Sequence, residues 1–159
     1  MIRKHLILVG LGLTLLVVSV MVIAKETQLR SGRSVFLALA PVDPRSLIQG
    51  DYMALRYAIS NEADRADVPP DGHLVLVTDE RGVATFRRID TPATPLAPGE
   101  LLLRYRRRAD RTKLGAEAYY FEEGRADVFA NAAFGELKVT SSGQSVLVGL
   151  RDKDLNPLK

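Results

Sequence analysis

The stretch His73-Leu-Val-Leu-Val-Thr-Asp-Glu-Arg-Gly-Val-Ala-Thr-Phe-Arg-Arg-Ile89 sets the architecture of the chain. Two short runs, 73–77 and 83–89, are rich in the β-branched and aromatic residues that suit strands. They flank Thr78-Asp79-Glu80-Arg81-Gly82, so the segment reads as a β-hairpin with a Gly-containing turn. Upstream, Asn61 to Gly72 is polar, holds Pro69-Pro70 and reads as a loop. Before it, Tyr52 to Ser60 alternates: Met53, Leu55, Tyr57 and Ile59 would share one strand face, and Tyr52, Ala54, Arg56 and Ala58 the other. Ser34 to Ala40 is a short apolar run ended by Pro41, another strand.

Downstream, Asp90 to Glu100 carries Pro92, Pro95 and Pro98 and is expected to be an extended surface loop. Leu101 to Arg108 and Glu117 to Phe121 are further strands. Glu123 to Phe134 is the one helical stretch in this part, with Ala126, Phe129, Ala130 and Ala133 on one stripe. Leu137 to Thr140 and Ser145 to Leu150 form a last hairpin, and residues 151–159 are expected to be a flexible tail. About seven short strands, one short helix and mostly hairpin connections predict a compact, β-rich α+β domain, a mostly antiparallel sheet or partial barrel.

The N-terminal part is different in kind. Residues Leu6 to Ala24 contain no charged residue and no Asn, Gln or Pro. At about 1.5 Å rise per residue this run matches the hydrocarbon thickness of a bilayer, and in lipid it has to be helical. A cleaved signal peptide has a shorter apolar core, about 7–15 residues, and Val22 and Ala24 offer only a poor small-residue cleavage site. The length therefore favours an uncleaved signal-anchor. Arg3 and Lys4 favour a cytoplasmic N-terminus, although Lys25, Arg30 and Arg33 flank the other end. The expected order is a cytoplasmic segment 1–5, a transmembrane helix 6–24, a juxtamembrane segment 25–33 that stops near Gly32, an extracytoplasmic domain 34–150 and the tail. The localisation expected is the bacterial inner membrane, single-pass.

The chain has 159 residues, 22 Lys and Arg against 19 Asp and Glu, and no cysteine. Absent cysteine excludes a disulfide scaffold, a thiolate metal site and a cysteine nucleophile. Arg3 and Lys4 account for most of the net charge of +3, so the exported part is nearly neutral and a general affinity for nucleic acid is not supported. With His5 and His73 alone, a His-rich metal centre is excluded, and no cofactor is expected.

The densest local pattern runs from Pro41 to Tyr57. Pro41 and Pro44 fix φ, and Asp43 and Arg45 flank Pro44 within pairing reach. Gly50 permits a positive φ before the next strand, and the Asp51 carboxylate is suited to cap turn amides. Read conservatively this is a rigid loop-to-strand corner with Leu55 and Tyr57 in the core. Read functionally, Asp51, Tyr52 and Arg56 line a surface that grips a partner strand or peptide.

Gly50-Asp51-Tyr52-Met53-Ala54-Leu55-Arg56-Tyr57 also resembles the signature of the GDYXXLXY family of bacterial membrane-anchored proteins, without a departure, and Pro41, Asp43, Pro44 and Arg45 resemble its lead-in. Tyr120-Phe121-Glu122-Glu123-Gly124, with the helix and hairpin after it, is similar to the family's C-terminal half. The resemblance covers roughly residues 34–150. It implies an N-terminal anchor, an extracytoplasmic domain and a polytopic inner-membrane protein as partner, with no established activity.

An enzyme reading is poorly served. Pro44, Leu47, Gly50 and Asp51 faintly resemble part of the type I signal peptidases, which pair a serine nucleophile with a lysine base. The upstream position reads Phe36-Leu-Ala-Leu-Ala-Pro, without serine, and the strand that would carry the lysine reads Phe86-Arg-Arg-Ile89. Arginine does not deprotonate and cannot be the base, and Ser46 has no lysine near it in sequence. Glu122 and Glu123 read as a helix-start pair, Asp64, Asp67 and Asp71 as a solvated loop.

The one basic cluster is Leu101-Leu-Leu-Arg-Tyr-Arg-Arg-Arg108, followed by Arg111 and Lys113. As a strand it aligns Arg104, Arg106 and Arg108 on one face, opposite Leu101, Leu103 and Tyr105. They form either a solvated face with paired acids or a contact for anionic headgroups or an acidic partner. The leading expectation is a membrane-tethered binding or assembly subunit without catalysis of its own. A tethered ligand- or peptide-binding module of the envelope comes next, a degenerate peptidase-like scaffold or hydrolase third.

Overall fold

The computed structural model describes residues 2–40, 52–66, 68–91 and 93–158. Helix α1, Ile2–Ser31, contains the apolar run; it is long and apolar enough to cross a membrane, and its leucines, valines and isoleucines from Leu6 to Leu29 are exposed all round. After one buried residue, Gly32, the chain enters strand β1, Arg33–Ala38. There follow β2 (Tyr52–Ala54), α2 (Ala58–Arg65), β3 (Asp71–Thr78), β4 (Val83–Ile89), β5 (Glu100–Arg108), β6 (Arg111–Lys113), β7 (Ala118–Tyr120), α3 (Ala126–Phe129), β8 (Phe134–Val139) and β9 (Ser145–Arg151).

Seven strands form a sheet in the order β6-β5-β3-β4-β1-β8-β9, and β2 pairs with β7 in a separate ribbon. Neighbours are antiparallel except β1 and β4, which run parallel. The β-rich α+β class expected from the sequence is therefore what the chain adopts. The β3–β4 hairpin closes through Asp79, whose Oδ1 accepts the amides of Arg81 (2.9 Å) and Val83 (2.8 Å), while Gly82 takes φ of +81°. Asp79 thus mimics a backbone turn, and glycine tolerates the left-handed conformation the return requires.

The sheet curls into a half-barrel. Helix α2 touches β6, β4 and β1 at once. In a flat sheet β6 and β1 would be about 19 Å apart, four spacings of about 4.8 Å, whereas an eight-residue helix is only about 12 Å long. Bulges at Val75/Leu76 and Glu136/Leu137 add the bend. The free part of β5 meets the β8–β9 turn, where the Arg104 amide donates to the Gly143 carbonyl at 2.8 Å. Val35, Leu37, Leu74, Leu76, Leu103, Leu137 and Leu150 fill the interior.

Four expectations are corrected. Tyr52 to Ser60 is not one strand: it is extended only to Tyr57, after which α2 begins and buries Ile59, Ser60 and Ala63 at helical spacing. The stretch Asn61 to Gly72, expected as a loop, holds most of that helix. The helix expected over 123–134 is four residues long, because the Ala133 amide and carbonyl are already engaged by Arg151 and Leu39 across the sheet (both 2.8 Å). In the segment expected as a flexible tail, the Asp152 carboxylate accepts the amides of Asp154 and Asn156 (2.9 and 2.8 Å), and the Leu158 amide reaches the Leu150 carbonyl at 3.0 Å. It is a hydrogen-bonded turn rather than a loose end.

Candidate functional site

The second half of the octapeptide is a junction. The Leu55 amide donates to the Glu117 carbonyl (2.8 Å), and the Arg56 carbonyl accepts the amide of Ala40 (2.7 Å). The side chains of Leu55 and Tyr57 are buried, and the Tyr57 phenol donates to the Ala116 carbonyl at 2.8 Å. The same ring lies on Gly135, where an added Cβ would stand 3.0 Å from Tyr57 Cε1. Burial, with the Glu117 carboxylate nearby, pushes the Tyr57 phenol well above the ordinary tyrosine value. Leu55 and Tyr57 thus tie β1, β8 and the 114–117 segment together.

The outward side chains of the motif have found partners within the fold. Tyr52 faces Tyr120 across the β2–β7 ribbon with ring centroids 5.7 Å apart. Arg56 lies 3.8 Å from Asp64, whose other oxygen accepts the Thr112 amide at 2.6 Å. A shallow pocket of about 200 Å³ lies here, lined by Arg56, Ser60, Asp64, Arg111 and Glu117. Asp43, Arg45, Gly50 and Asp51 of the expected surface, and Ser46 of the hydrolase reading, lie outside the described residues.

The arginine cluster is differently disposed. Arg104, Arg106 and Arg108 share the exposed face of β5, as the alternation predicted, with Leu103 and Tyr105 buried opposite. Together with Lys25 of α1 and Lys113 of β6 they line a cleft of about 440 Å³. Among the described residues none of the three arginines has a carboxylate within ion-pair reach, whereas Arg107 on the other face pairs with Asp110 at 3.7 Å. Of the paired acids considered from sequence, Asp71 of β3 does stand opposite Arg106 in register, without coming into ion-pair reach. The cleft's own carboxylate, Glu117, spends one oxygen on the amides of Leu114 (2.5 Å) and Gly115 (2.9 Å).

Strand β6 is what sequence reasoning missed. It returns after Ala109 and Asp110, both at positive φ (46° and 59°), a two-residue turn of the kind that matches strand twist. The return sets Arg106 opposite Lys113 and Arg108 opposite Arg111. The signal was present as the two-residue break Ala109-Asp110 between runs of basic residues. Lys25 could not have been added from sequence, since only the fold brings the end of α1 to β5.

The family model for GDYXXLXY protein matches residues 14–150, from inside α1 to the end of β9. The chain belongs to the GDYXXLXY family. That family is of unknown function. The match takes in the later part of α1 as well as the half-barrel, so in this GDYXXLXY protein the two belong to one family unit. No curated protein and no solved structure matches the chain. Of the family signature, Tyr52, Leu55 and Tyr57 have roles in the fold described above.

A third recess of about 400 Å³ lies between the β7 end and the C-terminal turn. Tyr119 and Phe121 pack against Phe129 there as tilted ring pairs (centroids 5.3 and 4.7 Å apart), and Arg151 pairs with Glu136, its Nε donating at 2.9 Å.

Proposed function

We propose that this GDYXXLXY protein is a single-pass subunit of the inner membrane that binds and assembles with a polytopic membrane protein. Its N-terminus is cytoplasmic and its half-barrel extracytoplasmic. The observation that carries this reading is the junction between anchor and domain. Helix α1 ends at Ser31, β1 begins at Arg33, and Gly32 between them is buried. β1 is an inner strand of the sheet, flanked by β4 and β8. A domain meant to range over the membrane surface needs a flexible linker. One fused to its anchor through an inner strand holds a fixed height and orientation, which suits a subunit that meets the same membrane neighbour face to face. The apolar surface of α1, exposed along its length, supplies the lateral contact within the bilayer.

Crosslinking in intact membranes, mild detergent extraction and co-purification of the full chain test the reading. A stoichiometric polytopic protein is the expected result; a chain recovered alone after crosslinking overturns it. Reporter fusions at the two ends, with the mass of the mature chain, test orientation and retention of the anchor.

The aromatic recess at Tyr119, Phe121 and Phe129 favours a second reading, a tethered module that takes a small ligand or peptide there. A ligand-dependent melting shift that Phe129→Ala removes would support it.

A further inference from the structure

We propose that the cleft between α1 and β5 is a headgroup site for one anionic phospholipid. The inference rests on the membrane-anchored reading above and adds a ligand to it. Five cations, Lys25, Arg104, Arg106, Arg108 and Lys113, line the cleft, against one carboxylate, Glu117.

On the β6 side the cross-strand pairing sets like charges against each other. Arg106 faces Lys113 and Arg108 faces Arg111 in register, two like-charged pairs on adjacent strands. Directly opposed like charges destabilise a sheet. Asp71 of β3 stands opposite Arg106 in register, but among the described residues no carboxylate lies within ion-pair reach of Arg104, Arg106 or Arg108. The fold tolerates a repulsion that a bound anion would relieve, and such local conflicts with folding mark functional sites.

Lys25 fixes the kind of anion. It is the first charged residue after the apolar run that ends at Ala24, so in a spanning α1 it stands at the level of the headgroups, whichever leaflet that is. The cleft it lines therefore opens where lipid phosphates are concentrated. Guanidinium forks bind phosphate oxygens in bidentate fashion, and ammonium groups add point charges. A phosphodiester with net negative charge satisfies the cleft, whereas a zwitterionic headgroup brings its own cation into it.

The test uses the full chain in neutral detergent, titrated with short-chain phosphatidylglycerol, phosphatidylcholine, inorganic phosphate and polyglutamate, and followed by thermal melting and native mass spectrometry. The expected result is saturable binding of phosphatidylglycerol that weakens as salt is raised. Arg106→Gln with Arg108→Gln should weaken it roughly tenfold to thirtyfold, from about 1 kcal/mol per cation. A control with Arg65, Arg81 and Arg87 changed to Gln, all exposed and outside the cleft, should bind as the parent does. Equal binding of phosphatidylcholine, binding of free phosphate or polyglutamate as tight as that of the lipid, or an equal loss in the control overturns the proposal. If the double variant melts abnormally, the salt titration of the parent decides: binding indifferent to salt overturns the site. Alkaline carbonate extraction separates the two readings. Release of the chain with lipid binding intact sinks the anchor alone, and retention without lipid binding sinks the headgroup site alone.

Discussion

The phenol of Tyr57 donates a 2.8 Å hydrogen bond to the carbonyl of Ala116, 59 residues further along the chain, and both residues are buried. Ala116 lies beyond every strand of the β3–β6 region, so this bond closes a long loop of structure rather than decorating a turn. Tyr57→Phe keeps the ring against Gly135 and leaves the Ala116 carbonyl unpaired. The expected cost is about 1–3 kcal/mol, read by denaturant unfolding of the full chain in detergent. The tyrosine value is raised in the fold, so its contribution is complete below the ordinary value near 10.0 and is lost as pH rises above it. Tyr105, also raised by burial, acts in the same direction. Alkaline destabilisation should therefore be smaller in Tyr57→Phe than in the parent; an identical slope above that pH counts against the assignment.

Gly143 holds the seam of the half-barrel. Its carbonyl accepts the Arg104 amide, its φ is +78°, and an added Cβ would stand 2.7 Å from His73 Cδ2. Gly143→Ala combines a left-handed alanine with a steric overlap, an expected loss of about 3 kcal/mol. Hydrogen exchange at the Arg104 amide should accelerate by more than exchange in the centre of β1. Uniform acceleration across the sheet would instead mean that Gly143 acts on global stability and not on the seam.

Glu100 anchors the proline-containing loop. It accepts the Ala97 amide at 3.0 Å and pairs with Arg88 at 3.0 Å, and these contacts, the amide first, hold its carboxyl below the ordinary glutamate value of 4.5. A lowered value means stability that is complete above that pH and lost as pH falls through the folded value. Glu100→Gln should thus lower stability at neutral pH and flatten the acid limb of the stability profile. A parallel downward shift with the limb unchanged would show that another carboxylate controls it.

These residues also show what the chain discloses before it folds. Strand positions near Leu103 and Leu137 show the alternation that one buried face enforces, whereas those near Phe36 and Val75 were legible as short apolar runs bounded by Pro41 or a turn, with Leu74, Val75 and Leu76 all buried in succession. The motif's Leu55 and Tyr57 were legible as core for the same reason, but the switch to helix at Ala58 was not. Ile59, Ser60 and Ala63 are buried at helical spacing in a stretch whose first half alternates, and nothing local separates the two periods. The helix expected around Phe129 was overextended because Ala130 to Ala133 favour helix by propensity, while tertiary pairing of Ala133 with Arg151 and Leu39 overrides it. Lys25 belongs to the cationic cleft only through the curl of the sheet, a relation no sequence window contains. The outward half of the motif, Tyr52 and Arg56, was read as a gripping surface, and each has a partner in the fold, Tyr120 and Asp64.

The like-charged pairs of β5 and β6 give the sharpest separation of stability from function. Lys113 faces Arg106, so Lys113→Glu replaces a repulsion by an attraction at an exposed cross-strand site. In neutral detergent without anionic lipid the variant should be more stable by about 0.5–1 kcal/mol. The gain should shrink as salt is raised, because exposed charges are screened within about 10 Å at 0.1 M. The same change places a carboxylate in the cleft and should weaken phosphatidylglycerol binding by about tenfold or more. Added lipid should therefore reverse the order of melting temperatures, with the parent gaining and the variant not, as expected for a ligand that binds only the folded cleft. If Lys113→Glu melts higher both with and without lipid by the same margin, the repulsion is a tolerated imperfection of the hairpin. If the order reverses, the opposed cations of β5 and β6 are kept for what they bind.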